Sequence, residues 1–411
     1  MNKLNLIVFE DDQSAGFYPM SETHPIFDLL VGCHNIVERL RLYFRPVAFS
    51  IICRRDLADI ARLQHGDLTV NAIKPNRYDT IVINSSLKPD IAVFQELASA
   101  KQDILFFDDG ILLGGKLSAG SLKRLDDWLL SLPENPSLIE FEFRQKSWAR
   151  YANLWEMISD NGRIIEFDFH LLRSQKARLA AFAVKGKTMV HKKARIAKGA
   201  FLDTEGGPII IDDGAYVEPR SLIQGPAYIG RHTRVMAGMV REGCSIGPVC
   251  KVGGEIEESI ILGYSNKCHE GFIGHSYIGE WVNLGALTTN SDLKNNYTSV
   301  RAVVRGKEFD TGLIKVGSLI GDHTKTGIGT LFNTGIVIGF CCNLFGGGLF
   351  TQKEIAPFTW GTPKSMIKFE LDKAIQIAKM AMSRRNVEFT EVHEKLFEML
   401  ANKHLETKSS A

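Results

Sequence analysis

The sequence predicts an α/β layered domain followed by a parallel β-helix and a pair of C-terminal helices. Three observations predict this fold. Apolar runs alternate with helical patterns over the first 185 residues, aliphatic residues then recur at every sixth position, and helical periodicity returns after residue 363. A chain of 411 residues also exceeds the size at which one hydrophobic core keeps growing. We therefore expect domains at residues 1–185, 186–362 and 363–411.

The first part of the chain has the pattern of an α/β domain. Apolar runs at 4–9, 47–53, 80–84 and 104–107 are typical of strands buried in a parallel sheet. Helical patterns at 27–44 and 91–100 alternate with them, as expected for helices packed on such a sheet. The interval 122–172, with Trp128, Trp148 and Trp155, is predicted to be helical and to cover this domain.

The second part is organised by a six-residue periodicity. An amphipathic helix repeats its apolar face every three or four residues and an ordinary strand every second residue, so neither has this spacing. A prism of short strands does, because each face contributes one inward aliphatic residue and each corner a tight turn, as in hexapeptide β-helices. The anchors are Val190, Ile196, Leu202, Ile211, Val217, Ile223, Ile229, Val235, Phe272, Ile278, Leu284, Ile320, Thr326, Phe332, Ile338 and Leu344. The alternative is chance periodicity in a glycine-rich β domain.

Two further segments interrupt or follow the repeats. Between residues 288 and 315 the periodicity stops, and a polar loop carries Lys294, Arg301, Arg305 and Lys307. A loop of this length inside a repeat array is either functional or disordered. After residue 363 two helices are expected, the second at about 390–405, and we expect them to cap the open end of the prism. A role in binding a partner is the alternative.

Composition excludes several classes of protein. The net charge of +2 gives no indication of a nucleic-acid or membrane-surface protein. The seven cysteines include no CxxC pair, which favours reduced thiols in a cytoplasmic protein. The apolar run at 4–9 is too short for a signal peptide, and no window has the length of a membrane span.

One stretch resembles a known family. Residues 265–274 read Ser-Asn-Lys-Cys-His-Glu-Gly-Phe-Ile-Gly, residues 279–286 Gly-Glu-Trp-Val-Asn-Leu-Gly-Ala, and residues 290–295 Asn-Ser-Asp-Leu-Lys-Asn. This pattern resembles the acetyltransferase core of the bifunctional UDP-N-acetylglucosamine pyrophosphorylase/glucosamine-1-phosphate N-acetyltransferases, and more closely their divergent sugar nucleotidyltransferase-like branch. The resemblance implies a nucleotidyltransferase-like, Rossmann-like α/β domain, then a left-handed parallel β-helix of hexapeptide repeats and C-terminal helices.

The resemblance also implies a chemistry and an assembly. The acyl donor would be acetyl-CoA, and the acceptor an amino-sugar phosphate or a nucleotide-activated amino sugar such as a UDP-sugar. The family forms homotrimers, with each acyl site between neighbouring prisms.

The resemblance assigns candidate roles residue by residue. His269 matches the general base, and an unperturbed histidine, with a pKa near ~6.5, suits that role at neutral pH. The substrate-binding candidates are Lys267, Asn283, Lys294 and, more weakly, Lys251, and the cofactor-binding candidates are Ala286, Arg301 and Arg305. The alternatives are a histidine or asparagine stacked in a prism corner and solvated surface cations. No metal is expected at the prism, because His275 and His323 lack the spacing of a three-histidine zinc site.

The α/β domain departs from the family at its phosphate loop. Residues 10–20, which follow the first strand, contain one glycine, no arginine and three acids, Glu10, Asp11 and Asp12, which repel phosphate unless a divalent ion intervenes. His24, Leu30 and Ser85 or Ser86 stand where the divergent branch carries arginines. Nucleotidyl transfer is therefore expected to be lost or reduced, with Mg²⁺ required only if this domain is active. Asp11, Asp12, Asp108 and Asp109 are its candidate ligands, and solvated loop acids are the alternative.

Three functional hypotheses follow. The leading one is an acetyl-CoA-dependent N-acetyltransferase with His269 as its base. The second adds a UDP-sugar pyrophosphorylase activity in the α/β domain. The third is a non-catalytic scaffold that binds a sugar nucleotide.

Overall fold

The computed structural model describes residues 3–74, 77–123 and 142–406. The chain forms two compact units. The first unit comprises Met1–Phe17, Thr23–Leu29 and Asn35–Ala152, and the second comprises Tyr18–Glu22, Leu30–His34 and Asn153–Ala411.

The first unit is built on a seven-stranded sheet. Its strands are β1 (Asn5–Phe9), β2 (Ala48–Ile52), β3 (Thr69–Val70), β4 (Thr80–Asn84), β5 (Ile104–Asp108), β6 (Ile111–Leu117) and β7 (Glu142–Gln145), in the order β3-β2-β1-β4-β6-β5-β7. Strands β1 to β4 run parallel, whereas β6 is antiparallel to both of its neighbours. The four predicted strands are confirmed, and their side chains form a core around Ile7, Val82 and Leu105.

Helices flank the strands of this sheet along the chain. They are α1 (Ile36–Phe44), α2 (Ala58–Gln64) and α3 (Ile91–Ser99), with short 3₁₀ turns at Asp12–Phe17, Met20–Glu22, Ile26–Asp28 and Arg55–Leu57. The prediction of one helix over 27–44 is wrong in its first half. The Asn35 side chain accepts a hydrogen bond from the Glu38 N–H and so caps the helix only at that point. Trp128 and most of the predicted helical interval before residue 142 lie outside the described residues.

The second unit contains a three-faced prism of short parallel strands. The first face runs through Arg195–Ile196, Tyr216–Val217, Arg234–Val235, Lys251–Val252, Asn266–Lys267, Asn283, Lys325–Thr326, Asn343–Leu344 and Thr359–Thr362. The second comprises Phe201–Asp203, Leu222–Gln224, Met239–Val240, Glu255–Glu257, Phe272–Gly274, Thr289–Asn290, Thr330–Phe332 and Gly348–Phe350. The third comprises Phe182–Lys185, Thr188–His191, Ile209–Ile211, Ala227–Ile229, Cys244–Ile246, Ile260–Ile261, Tyr277–Ile278, Ser318–Ile320, Ile336–Ile338 and Glu354–Ile355.

The prism axis is filled by the residues that the periodicity selects. Ile211, Val217, Ile223 and Ile229 are each 0% exposed and belong to one continuous core. The predicted hexapeptide β-helix is therefore confirmed. Phe272 is an exception, because Ile273 occupies the inward position and Phe272 lies on the outer side of the same strand. The steps from Lys267 to Ile273 and from Ile273 to Ile278 are six and five residues, so an uninterrupted count of six fails here.

One corner of the prism is a column of residues in the left-handed backbone region. Tyr264, Trp281 and His323 have φ angles of 53°, 59° and 59° on successive coils. The Tyr264 and Trp281 rings stack with centroids 4.3 Å apart, and the Trp281 and His323 planes differ by 14°. A non-glycine residue in this region costs roughly 1–2 kcal/mol, and stacking between coils offsets part of that cost.

A long helix, α4 (Leu154–Ser174), lies against the third face and is followed by α5 (Lys176–Leu179). The Asn161 side chain donates to Gly243 O at 2.8 Å and accepts from the Gly32 N–H at 2.7 Å, and Asp168 accepts from the Cys33 N–H at 2.8 Å. The longest segment of the second unit begins at Asn153 and includes α4.

The C-terminal helices α6 (Leu371–Ser383) and α7 (Glu391–Glu406) lie alongside the last coils. Phe397 of α7 contacts His323, Phe340 and Phe358, which lie on successive coils of one corner. The strand Ser365–Lys368 pairs antiparallel with Thr359–Thr362, and its Met366 packs against the prism core. The helical pattern predicted from residue 363 therefore begins later, at Leu371, because the chain first forms this hairpin. None of the helices in the described ranges is long and apolar enough to cross a membrane.

Candidate functional site

His269 lies at the corner between the first and second faces. It follows the strand Asn266–Lys267 and precedes Phe272–Gly274. Its side chain is exposed, and in the part of the chain that the structure describes its imidazole has no hydrogen-bond or ion-pair partner. The ring is therefore free to exchange a proton with a ligand.

Lys267 holds the backbone of this corner from inside. It occupies an inward position of the prism, is 1% exposed, and its ammonium group donates to the carbonyls of His269 and Glu270. Burial lowers the pKa of Lys267 to about 8, because the protonated amine has lost most of its water. The sequence predicts Lys267 as a substrate ligand, whereas its contacts give it a role in the turn that carries His269.

The next coil brings Ala286 to the same corner. The N–H of Leu287 donates to Glu270 O at 2.8 Å, and the N–H of Gly329 donates to Ala286 O at 2.9 Å. Ala286 is half-buried, and no acceptor within residues 142–406 lies at hydrogen-bond distance from its own N–H. His269, the predicted base, and Ala286, a predicted cofactor-binding residue, thus lie on adjacent coils at one corner.

A groove of about 330 Å³ opens beside this corner. Its floor contains glycines, so a ligand can approach the backbone closely. It is lined by Arg220, Leu222, Ala237, Gly238, Met239, Gly254, Glu255, Glu270 and Gly271. Leu222 and Met239 give it an apolar side, and Arg220 supplies a cation. Sequence reasoning missed Arg220, because an arginine in a repeat corner reads as a surface residue.

The first face presents a polar ladder next to the same corner. Lys251, Asn266 and Asn283 lie on consecutive coils and pair in register. Asn266 donates to the side-chain oxygen of Asn283 at 3.2 Å and accepts from Arg385 at 2.7 Å. The positive charges of Lys251 and Arg385 both act on the thiol of Cys268, although burial still raises its pKa. Sequence reasoning missed Asn266 and Arg385, since no spacing connects a residue after α6 with this face.

The polar loop does not bring its cations to this corner. Arg301 and Arg305 lie on a hairpin formed by Arg301–Val304 and Lys307–Asp310, and Arg301 pairs with Glu308 at 2.9 Å. Arg305 pairs with the buried Glu22 at 3.4 Å and stacks over the Tyr18 ring. Lys294 lies within the loop, where its charge acts on Lys353 and Asp310. Arg301 and Arg305 are thus paired with acids. Either arginine has to break its ion pair before it can contact a cofactor phosphate, and this costs free energy.

His275, left unassigned by the sequence, follows the strand Phe272–Gly274 at the end away from His269 and forms a charged cluster there. Its Nδ1 lies 2.8 Å from Asp292 and its Nε2 lies 3.2 Å from Glu258. Burial lowers the pKa of His275, but the hydrogen bonds and charges of the two carboxylates outweigh burial and raise it to about 9. A histidine that stays protonated at neutral pH is not a general base, so this cluster is an ion-paired support.

The acids after β1 are used within the first unit. The buried Glu10 pairs with Arg54 and accepts the Ile26 N–H, and burial nevertheless raises its pKa. Asp11 accepts from Asn84 at 2.8 Å, whereas Asp12 is exposed. Among the described residues no group of three or more histidine, cysteine or acidic side chains has the geometry to hold a metal ion. All seven cysteines are free thiols.

Comparison with known proteins agrees with this two-part organisation. Residues 6–177 match the family model described as sugar nucleotidyl transferase. The chain is 24% identical over 280 residues to a bifunctional sugar-1-phosphate nucleotidylyltransferase/acetyltransferase of Sulfurisphaera tokodaii. The aligned residues cover 67% of this chain and 63% of the relative. It is 32% identical over 88 residues to the bifunctional protein GlmU of Methanocaldococcus jannaschii, with 21% of each chain covered.

Solved structures are more distant. A hexapeptide transferase family protein from Anaplasma phagocytophilum is 15% identical, with 50% of this chain and 99% of that chain covered, at a TM-score of 0.26. The assignment of the prism therefore comes from the strand pairing described above. The chain spans less than two thirds of the length of the Sulfurisphaera relative. Residues 6–177 thus match the sugar nucleotidyl transferase model, a hexapeptide-repeat prism follows them, and the chain is similar to the bifunctional sugar-1-phosphate nucleotidylyltransferase/acetyltransferases.

Proposed function

We propose that this protein is an N-acetyltransferase that moves an acetyl group from acetyl-CoA to the amine of an amino-sugar phosphate or a nucleotide-activated amino sugar. The observation that carries the proposal is the corner at His269. An exposed imidazole lies one coil from the Ala286 N–H, beside a glycine-lined groove, and neither group has a hydrogen-bond partner among the residues that the structure describes. The acetyltransferase activity named for the Sulfurisphaera relative supports the same chemistry.

The geometry suggests a role for each group. Neutral His269 accepts the proton of the attacking amine, whose nitrogen forms a bond to the acetyl carbon while the carbon–sulfur bond of the thioester breaks. The Ala286 N–H donates to the acyl oxygen as negative charge develops on it. The apolar side of the groove, with Leu222 and Met239, suits the acyl and thioester end of the donor. The thiol of CoA leaves with a proton.

A second activity, sugar-1-phosphate nucleotidyl transfer, is the alternative that the family match over residues 6–177 favours. The first unit weakens it in one respect. Its loop after β1 carries the buried Glu10, whose charge Arg54 offsets, where a triphosphate needs donors. Pyrophosphate release from nucleoside triphosphates with Mg²⁺ tests this activity separately. A chain that lacks both activities but binds UDP-sugars is the scaffold alternative.

The test is release of CoA from acetyl-CoA with glucosamine 1-phosphate and with UDP-linked amino sugars. We expect His269→Ala to lower kcat about 10²–10⁴-fold, the usual contribution of a positioned base. Its unfolding transition should not change, because the ring is exposed and has no hydrogen-bond partner within the described ranges. His170→Ala, an exposed histidine on α4, is the matched control. An unchanged rate in His269→Ala, or no release with any acceptor, refutes the proposal.

We also propose that the prisms assemble as homotrimers through their second faces. The outward residues there form a ladder in strand register: Phe201, Leu222, Met239, Glu255 and Phe272, then Thr289, Leu331 and Leu349. Phe201 is 64% and Leu349 48% exposed in the single chain. Six of these eight residues are apolar; an exposed strip of this kind is typical of an interface, and three-fold closure is a common solution for it. Light scattering at three times the chain mass, reduced to one in Leu331→Asp, is the expected result.

A further inference from the structure

Asn266 connects the C-terminal helical segment to the first face of the prism. Arg385, which follows α6, donates from Nη2 to Oδ1 of Asn266 at 2.7 Å. Asn266 in turn donates from Nδ2 to Oδ1 of Asn283 at 3.2 Å. The three side chains thus form a relay that runs from a cation on the helical segment to an exposed amide on the prism.

The cation fixes the direction of this relay. A guanidinium group donates hydrogen bonds and never accepts them, so the oxygen of Asn266 faces Arg385 and its NH₂ group faces Asn283. The oxygen of Asn283 is therefore occupied, and among the described residues its own NH₂ group has no hydrogen-bond partner. Because Asn283 is exposed, the relay presents N–H donors, and no acceptor, to a ligand.

Positive charge surrounds these donors. Lys251 lies in register with Asn266 on the preceding coil. Among the described residues neither Lys251 nor Arg385 has a carboxylate within ion-pair distance, whereas Arg234, one coil further, is paired with Glu218. Two uncompensated cations beside outward N–H groups make a site for a group with several negatively charged oxygens, and a phosphate monoester is such a group.

We propose that Lys251, Asn283 and Arg385 bind the phosphate group of the acceptor, and that Arg385 makes the site specific for phosphorylated over free amino sugars. The inference rests on the proposed function for its choice of acceptor. Arg385 acts through two routes: its remaining N–H groups face the phosphate, and its bond to Asn266 holds the amide of Asn283 in the donating orientation.

Calorimetric titration of the full chain with glucosamine 1-phosphate and with glucosamine, without acetyl-CoA, tests the site apart from catalysis. In Arg385→Ala the affinity for glucosamine 1-phosphate should fall about 10–100-fold, as expected for the loss of hydrogen bonds to a charged group. The affinity for glucosamine should change less than about three-fold. The control is Arg384→Ala, which removes the same charge from the exposed neighbouring residue and should change neither affinity.

A second variant tests the same site independently, in case Arg385→Ala misfolds. Asn266→Asp keeps a partner for Arg385 but removes the NH₂ group that orients Asn283, and it should also weaken binding of glucosamine 1-phosphate about ten-fold or more. The proposal is overturned if Arg384→Ala and Arg385→Ala weaken binding equally, if Asn266→Asp binds like the wild type, or if the wild type binds both sugars alike. Phosphate-selective binding without CoA release would leave this site standing and refute only the acetyltransferase.

Discussion

The ammonium group of Lys267 donates to the backbone carbonyl of His269, two residues further along the chain. The two residues point in opposite directions, since Lys267 lies in the prism interior and the imidazole of His269 is exposed. The lysine therefore fixes the backbone from which the proposed base projects. This contact favours a role for Lys267 as a support for the base. The other role, predicted from the sequence, is a ligand of the substrate.

We predict that Lys267→Met acts on the base and not on substrate affinity. Methionine fills a similar volume but leaves the carbonyl of His269 without its side-chain donor and the carbonyl of Glu270 with the Leu287 N–H alone, which costs about 1–3 kcal/mol of unfolding free energy. We expect kcat to fall about ten-fold and the KM of the acceptor to change less than about three-fold. The comparison is Lys251→Met, which should raise that KM and leave stability unchanged. Steady-state kinetics and urea unfolding distinguish the two variants, and a raised KM with wild-type stability in Lys267→Met would show that Lys267 binds substrate.

The second prediction concerns pH. The pKa of His275 in the folded protein is about 9, above its ordinary 6.5, so its ion pairs contribute stability fully below pH 6.5 and lose it as the pH rises through 9. Lys267 and Lys325, with pKa values of about 8, change stability in the opposite sense above pH 8, where the unfolded chain still binds their protons. Comparison of the wild type with His275→Gln between pH 6.5 and 8 isolates His275, because the other groups that titrate there, including the two lysines and His65, are the same in both proteins.

Within that window the titration of His275 should lower the free energy of unfolding by about 1–2 kcal/mol. His275→Gln should remove this fall, and it should be less stable than the wild type at pH 6.5, where Asp292 and Glu258 lose a charged partner. His170→Gln, which changes an exposed histidine, should keep the wild-type slope. Urea unfolding at three pH values measures it, and equal slopes in His275→Gln and the wild type would contradict the prediction.

The third prediction concerns Arg305. Its guanidinium lies 3.4 Å from the carboxylate of Glu22, whose side chain is 0% exposed and which also contacts His404 at 2.9 Å. Arg305→Ala should therefore lower the unfolding free energy by about 1–2 kcal/mol through the loss of this partner and of the Tyr18 stack. The KM for acetyl-CoA should stay within about two-fold of the wild type.

Arg301→Ala is the control for this variant. Arg301 forms an exposed pair with Glu308, and exposed pairs contribute about 0–1 kcal/mol, so its stability should hardly change. If Arg305→Ala instead raises the KM for acetyl-CoA several-fold at unchanged stability, the role inferred from the sequence, a contact with the cofactor, is correct.

The fold was predictable where each side chain faces one environment. Ile211, Val217 and Ile223 repeat strictly because each face of a coil presents one residue to the axis. The prediction failed at Phe272, where a coil shortens by one residue, since a fixed count has no means of detecting a shorter step. Strand β6 was missed because Gly114 and Gly115 weaken its pattern, although both lie against neighbouring backbone where a side chain has no room.

The candidate site was less predictable than the fold. A motif match suffices to select His269, Asn283 and Ala286, and the structure brings His269 and Ala286 to one corner on adjacent coils. The direction in which a side chain points is harder to predict. Lysines are usually exposed, so the sequence gives no indication that the side chain of Lys267 points into the prism. Arg385 lies 119 residues from Asn266, and such a contact depends on how α6 packs.

The last prediction concerns Gly271, which closes the turn of His269. Its φ of +125° is a conformation that side-chain-bearing residues rarely adopt, and an added Cβ would lie 2.2 Å from Thr288 O on the next coil. Gly271→Ala should therefore cost about 3 kcal/mol or more, because backbone strain and a clash with backbone act together. The matched control is Gly199→Ala, at an earlier corner with a φ of +87° and no atom within 4 Å of the added Cβ, where only strain of about 1 kcal/mol is expected. If the two variants unfold at the same urea concentration, the backbone of neighbouring coils moves apart easily at this corner. The close contact between coils then does not fix the positions of Gly271 and Ala286 beside His269.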